Sequence, residues 1–87
     1  MKTTRLTHIS QLQPGVWCLL QFKFDYQAAY RRVIPAGTPV LRKLIHFKCS
    51  PDRGPEACFG GSGNVWFNVE AYLRGDSVVK ECLLVTP

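Results

Sequence analysis

Val65-Trp66-Phe67-Asn68-Val69-Glu70-Ala71-Tyr72-Leu73 is the stretch on which the fold class turns. Every odd position is apolar, while the even positions hold Trp66, Asn68, Glu70 and Tyr72. Alternation with a period of two marks a half-buried strand. On this reading Val65, Phe67, Val69, Ala71 and Leu73 face a core, and Trp66, Asn68, Glu70 and Tyr72 face solvent. Downstream, Arg74-Gly75-Asp76-Ser77 makes a tight connection to a last strand over Val78 to Val85.

Upstream lies the longest loop, Ser50 to Asn64, rich in Pro and Gly. Its fifteen residues reach the upper limit for a loop without structure in a small domain. Before it, Val40 to Cys49 reads as a long strand with Leu41, Ile45, Phe47 and Cys49 on one face and Arg42, His46 and Lys48 on the other. Val40 and Leu44 break the alternation, which predicts a bulge or bend near Lys43. Pro35-Ala36-Gly37-Thr38-Pro39 is a break, and Tyr30 to Ile34 is a short strand carrying Arg31 and Arg32. Val16 to Phe24 is the first clear strand, with Val16, Cys18, Leu20, Phe22 and Phe24 on its apolar face. Residues 1–15 form a lead-in, with one helical turn over Ser10 to Gln13 capped by Ser10 and a type II turn at Pro14-Gly15.

Five short strands without a substantial helix predict one all-β domain over residues 1–87, a small five-stranded antiparallel barrel or strongly curved sheet. Leu12-Gln13-Pro14-Gly15 before one strand, and Ile34-Pro35-Ala36-Gly37-Thr38-Pro39-Val40 opening another, resemble small SH3-like (KOW-type) barrels. The resemblance implies a small β-barrel, and it rests on short patterns spread over most of the chain.

The 87 residues carry 11 Lys+Arg against 6 Asp+Glu, with 46% hydrophobic residues, a composition that excludes a disordered tail and a collagen-like fibre. No apolar run approaches the ~18–20 residues of a membrane helix, so no membrane partner is expected. No apolar segment follows the basic N-terminus, which makes a cytoplasmic location and free thiols the expectation. Charge is uneven: residues 1–48 carry a net +7 and residues 49–87 a net −2.

Three kinds of site compete. Arg42, His46 and Lys48 on one strand face, with Arg31 or Arg32 beside them, read as a phosphate-tracking row or as an ordinary solvated face. Trp66, Asn68 and Tyr72, with Trp17 on the first strand, read as stacking platforms, as anchors for a protein partner, or as a second packed face. His46-x-x-Cys49 with Cys58 offers soft ligands, but no Cys-x-x-Cys is present and a strand sends His46 and Cys49 to opposite faces, so no metal is expected. Cys49 and Cys58 are also the pair whose spacing invites a disulfide.

Gly60-Gly61-Ser62-Gly63-Asn64 lacks the Lys and the helix of a phosphate loop. Two histidines and six scattered carboxylates form no patterned acid–base pair, so neither catalytic residues nor a cofactor are expected. The chain therefore reads first as a non-catalytic binding module acting through a protein partner or homo-oligomer. A nucleic-acid binder is the alternative, and a small-molecule site or enzyme at a subunit interface is a third.

Overall fold

The computed structural model describes residues 2–28, 32–61 and 63–86. Tyr30 and Arg31 of the expected second strand lie outside the described residues. The chain is mostly β, in the order β1 (Lys2–Arg5), a 3-10 turn (Ile9–Gln11), β2 (Trp17–Phe22), β3 (Tyr26–Gln27), β4 (Val33–Ile34), β5 (Val40–Ser50), β6 (Gly54–Gly60), β7 (Val65–Asn68), α1 (Val69–Arg74) and β8 (Val79–Thr86). Among the described residues six strands pair antiparallel in the order β1-β8-β2-β5-β6-β7, and β3 pairs with β4 as a separate hairpin.

The alternation holds within β2, where Cys18, Leu20 and Phe22 are buried, but the strand ends at Phe22 and Phe24, expected on the same apolar face, is 69% exposed. The turn before it also forms, with Val16 N donating to the Gln13 carbonyl and Gly15 at φ 99°, the left-handed value that a type II turn demands of its third residue. One inner face collects Cys18, Leu20 and Phe22 with Cys82 and Leu84 of β8, Leu44 of β5, Ala57 and Phe59 of β6, and Val65 and Phe67 of β7. Phe59 and Phe67 stack nearly parallel with centroids 5.6 Å apart. The short turn starts at Ile9 rather than Ser10, and His8 caps it through a bond from the Ser10 amide.

Three expectations are corrected. The Ser50–Asn64 loop contains a strand: after a turn at Pro51–Arg53, β6 pairs along β5 from Ser50↔Gly54 to Lys43↔Gly60. Gly54 and Pro55 at its start and Gly60 at its end disguised it, although Ala57 and Phe59 alternate inward as a strand requires. Pro55, which has no N–H to give, sits at the second residue of the strand.

The second correction is the lead-in. Lys2–Arg5 adds β1 to the sheet against β8, with every residue exposed, so no hydrophobic pattern announced it.

The third concerns the stretch that decided the fold class. It is a strand only to Asn68, and then turns into α1. Asn68 Oδ1 accepts the Ala71 amide proton at 2.9 Å, Glu70 lies in the first turn, Arg74 in the last, and Gly75 closes the helix at φ 85°. Val69 and Tyr72, three apart, are the buried pair, which is helical spacing. Asn68 Nδ2 also donates to the Arg53 carbonyl, so this one side chain joins the cap to the β5–β6 turn. We expect Asn68→Ala to cost about 1–2 kcal/mol and, at this chain length, roughly 4–8 °C of Tm per kcal/mol. A melting curve checks it, and an unchanged Tm would remove the cap from the account.

Candidate functional site: the outer face of the sheet

Residues paired across antiparallel strands point to the same side, so the register lays out the face opposite the core. One row crosses Val85, Trp17 and Lys43, and the next crosses Arg5, Leu83, Leu19 and Leu41. A third pairs Gln21 with Glu81. Apolar side chains thus occupy this face as well as the core face. Trp17, Leu41, Ile45 and Trp66 are 45%, 46%, 50% and 41% exposed, so nothing described covers them.

β5 carries the predicted irregularity. Leu44 pairs with Phe59 and His46 with Cys58, leaving Ile45 as the extra residue of a bulge. Ile45 lies over Gly60, where an added Cβ would come within 3.1 Å of it. Past the bulge the outer face continues as His46–Cys58–Trp66 and Lys48–Glu56–Asn68. The His46 ring meets Trp66 edge-on at 6.0 Å, and Lys48 Nζ stands 5.7 Å over the Trp66 ring. Both contacts suit an indole held in a fixed orientation with one face still open. Tyr26 fixes the backbone beneath: its hydroxyl accepts the Trp66 amide at 3.2 Å and reaches back to the Trp66 carbonyl at 3.5 Å.

The bulge breaks the expected basic row. His46 and Lys48 share the outer face with Trp66, but Arg42 pairs with Cys18 and so stands on the core side. Its side chain lies against Gly61, one N–H donates to the Leu41 carbonyl at 3.2 Å, and its buried Nε has no partner among the described residues. Arg32 is exposed beside Val33, Ile34, Pro35, Val40 and Arg42, on a different part of the molecule, and Arg31 lies outside the described residues. Asn68 is the half-buried helix cap. Tyr72, expected to face solvent, is 8% exposed, and its hydroxyl accepts the Cys82 amide proton at 2.9 Å. The strand period fails there because the backbone has become helical.

Sequence reasoning missed Leu19, Leu41, Leu83 and Val85 as site residues. Their signal was present: β2 and β8 have apolar residues at both parities, which half-buried strands do not need.

The thiols also rearrange. Cys49 pairs in register with Pro55, and Cys58 with His46, three residues along β5. That is about 10 Å of strand, beyond the ~7 Å Cα separation that a disulfide tolerates. Cys18 and Cys82 lie on adjacent strands, both fully buried. The neighbouring Cys18 thiol, then burial, holds the Cys82 thiol far above its usual range, and burial alone raises Cys58. Deprotonation is thus disfavoured at both, and the thiolate is the reactive form. We expect exposed Cys49 to react quickly with a thiol reagent in the native protein and all four cysteines to react after denaturation. A denatured count of two would contradict the free thiols. His46 and Cys58 are cross-strand neighbours, but no group of three or more metal-ligating side chains occurs among the described residues.

No family model, curated protein or solved structure matches this chain. Its reading rests on its own geometry. Among the described residues no helix is long and apolar enough to cross a membrane.

Proposed function

We propose that this protein is a non-catalytic β-sheet binding module that works through protein–protein contact on its outer face, and that the occupant of that face is a second copy of the same chain. The observation that carries this is the run Trp17, Leu19, Leu41, Leu83 and Val85, contiguous across β8, β2 and β5 and continued by exposed Ile45 and Trp66. Monomeric proteins rarely leave so broad an apolar patch open. Phosphates gain nothing from Leu or Val, so the same run argues against a nucleic-acid strand as the main occupant.

Charge placement supports self-association. Lys43 and Glu81 stand at diagonally opposite corners across Leu19, one strand to either side and two residues up or down. A two-fold axis in the interface plane, along the other diagonal, brings each Lys43 over the partner's Glu81 with Leu19 at the centre. The strands of the two sheets then cross near the orthogonal packing angle.

The SH3-like barrel is our proposal for the fold at finer grain. What supports it is curl. Tyr26, from the hairpin between β2 and β5, bonds to the Trp66 backbone in edge strand β7, and α1, which follows β7, is tied to β8 through Tyr72. The test of the function is the mass of the protein in solution, with and without a charge at Leu41.

A further inference from the structure

A cleft of about 450 Å³ opens where the end of β1, the segment after β2, the C-terminal end of α1 and the start of β8 meet. It borders the apolar run only at Arg5, which pairs with Leu83. Leu6, Tyr72 and Val79, all buried core residues, form its floor, and Arg5, Lys23, Arg74 and Lys80 stand around it. Among the described residues no Asp or Glu lines it.

Two local features put the cations there. Gln21 pairs with Glu81 and Phe22 with Val79, so Lys80 is the extra residue of a second bulge, freed from the strand register. Bulges re-aim side chains and recur beside binding sites. Lys23 Nζ donates to the Gly75 carbonyl at 2.7 Å, which fixes its ammonium at the rim with two protons still available. Arg74 is partly offset by Asp76, at 3.4 Å through its Nε, and keeps its remaining N–H groups. Charge repulsion among four cations around one small cleft is relieved by an anion that bridges them.

We propose that this cleft binds an organic phosphate, with the phosphate chain among Lys23, Arg74 and Lys80 and the organic body over the Leu6–Tyr72–Val79 floor. The volume falls within the ~300–1,000 Å³ of ordinary ligand sites. Guanidinium and ammonium groups together supply the forked and point-charge contacts that phosphates accept. The proposal is independent of the self-association of the outer face.

The test is calorimetric titration of the full chain at low salt with adenosine triphosphate and, separately, with inorganic tripolyphosphate. We expect saturable one-to-one binding of both, tighter for adenosine triphosphate. Arg74→Ala with Lys80→Ala should weaken both by about tenfold or more, since two charge-assisted contacts are lost. Arg32→Ala with Arg53→Ala removes the same charge from exposed positions outside both the cleft and the apolar run and should change affinity by no more than about twofold, because screened distant charges contribute little. Thermal melts of both double variants guard against unfolding. Absence of saturable binding to either probe overturns the proposal. Equal weakening by the two double variants overturns it too, since net charge alone would then account for binding. Tripolyphosphate binding as tightly as adenosine triphosphate overturns the role given to the apolar floor.

Discussion

Phe67→Ala is expected to destabilise the protein by about 3–5 kcal/mol, the largest loss from any single truncation considered. Phe67 is buried on the inner face of β7, stacked on Phe59 at 5.6 Å and edge-on to Tyr72 at 6.0 Å. Removing it leaves a cavity lined by rings that pack against one another and collapse poorly. A domain of this length has roughly 4–13 kcal/mol in total, at 0.05–0.15 per residue, so the variant falls close to the limit of folding. Its neighbour Trp66 is the control. That ring lies on the outer face, 41% exposed, and its contacts are Lys48 and His46. Trp66→Ala should cost about 1 kcal/mol or less, the scale of an exposed cation–π contact. Urea denaturation of both variants reads the difference. Equal losses would mean that the two faces of β7 are equally covered, which contradicts an open outer face.

What could be read beforehand depended on which physical signal each segment carries. β2 and β7 were legible because tertiary burial and strand period agree there. β6 was hidden because Pro55 and three glycines within or beside it are turn formers, and only its pairing with β5 outweighs their preference. α1 was hidden for the opposite reason: Val69 and Ala71 continue the strand alternation by coincidence, while the helix signals are local ones, Asn68 at the cap and Gly75 at the end. The bulge at Ile45 was foreseen in place, yet its consequence was not. One extra residue moves everything beyond it to the other face, which separates Arg42 from His46 and Lys48.

The same logic explains the candidate site. Charged residues drew attention because clustered cations have an obvious partner. Leu19, Leu83 and Val85 carried no assigned face in the sequence, and which face each one occupies appears only once the pairing register is known. With the register in hand, the apolar run and the Lys43–Glu81 diagonal emerge together.

Leu41→Glu is the strongest perturbation of the proposed self-association. Leu41 is 46% exposed and pairs with Leu19 at the centre of the run. In the isolated chain a charge there faces water, and such surface changes usually stay within about 0.5 kcal/mol. In the dimer it is buried twice, once from each copy, without a cation opposite. A penalty of about 3 kcal/mol or more for uncompensated buried charge corresponds to over 100-fold in affinity. Reversing the diagonal separates charge pairing from bulk hydrophobicity. Lys43→Glu alone should weaken the dimer, and adding Glu81→Lys should restore it.

Sedimentation equilibrium on the wild-type chain and on Leu41→Glu reads self-association as a mass. At about 100 μM, well above the micromolar Kd expected of even a modest interface, the wild type should sediment at twice its 9.8 kDa chain mass and Leu41→Glu at the monomer mass with an unchanged circular dichroism spectrum. A wild-type protein that stays at 9.8 kDa, or a Leu41→Glu variant that remains dimeric, would contradict it.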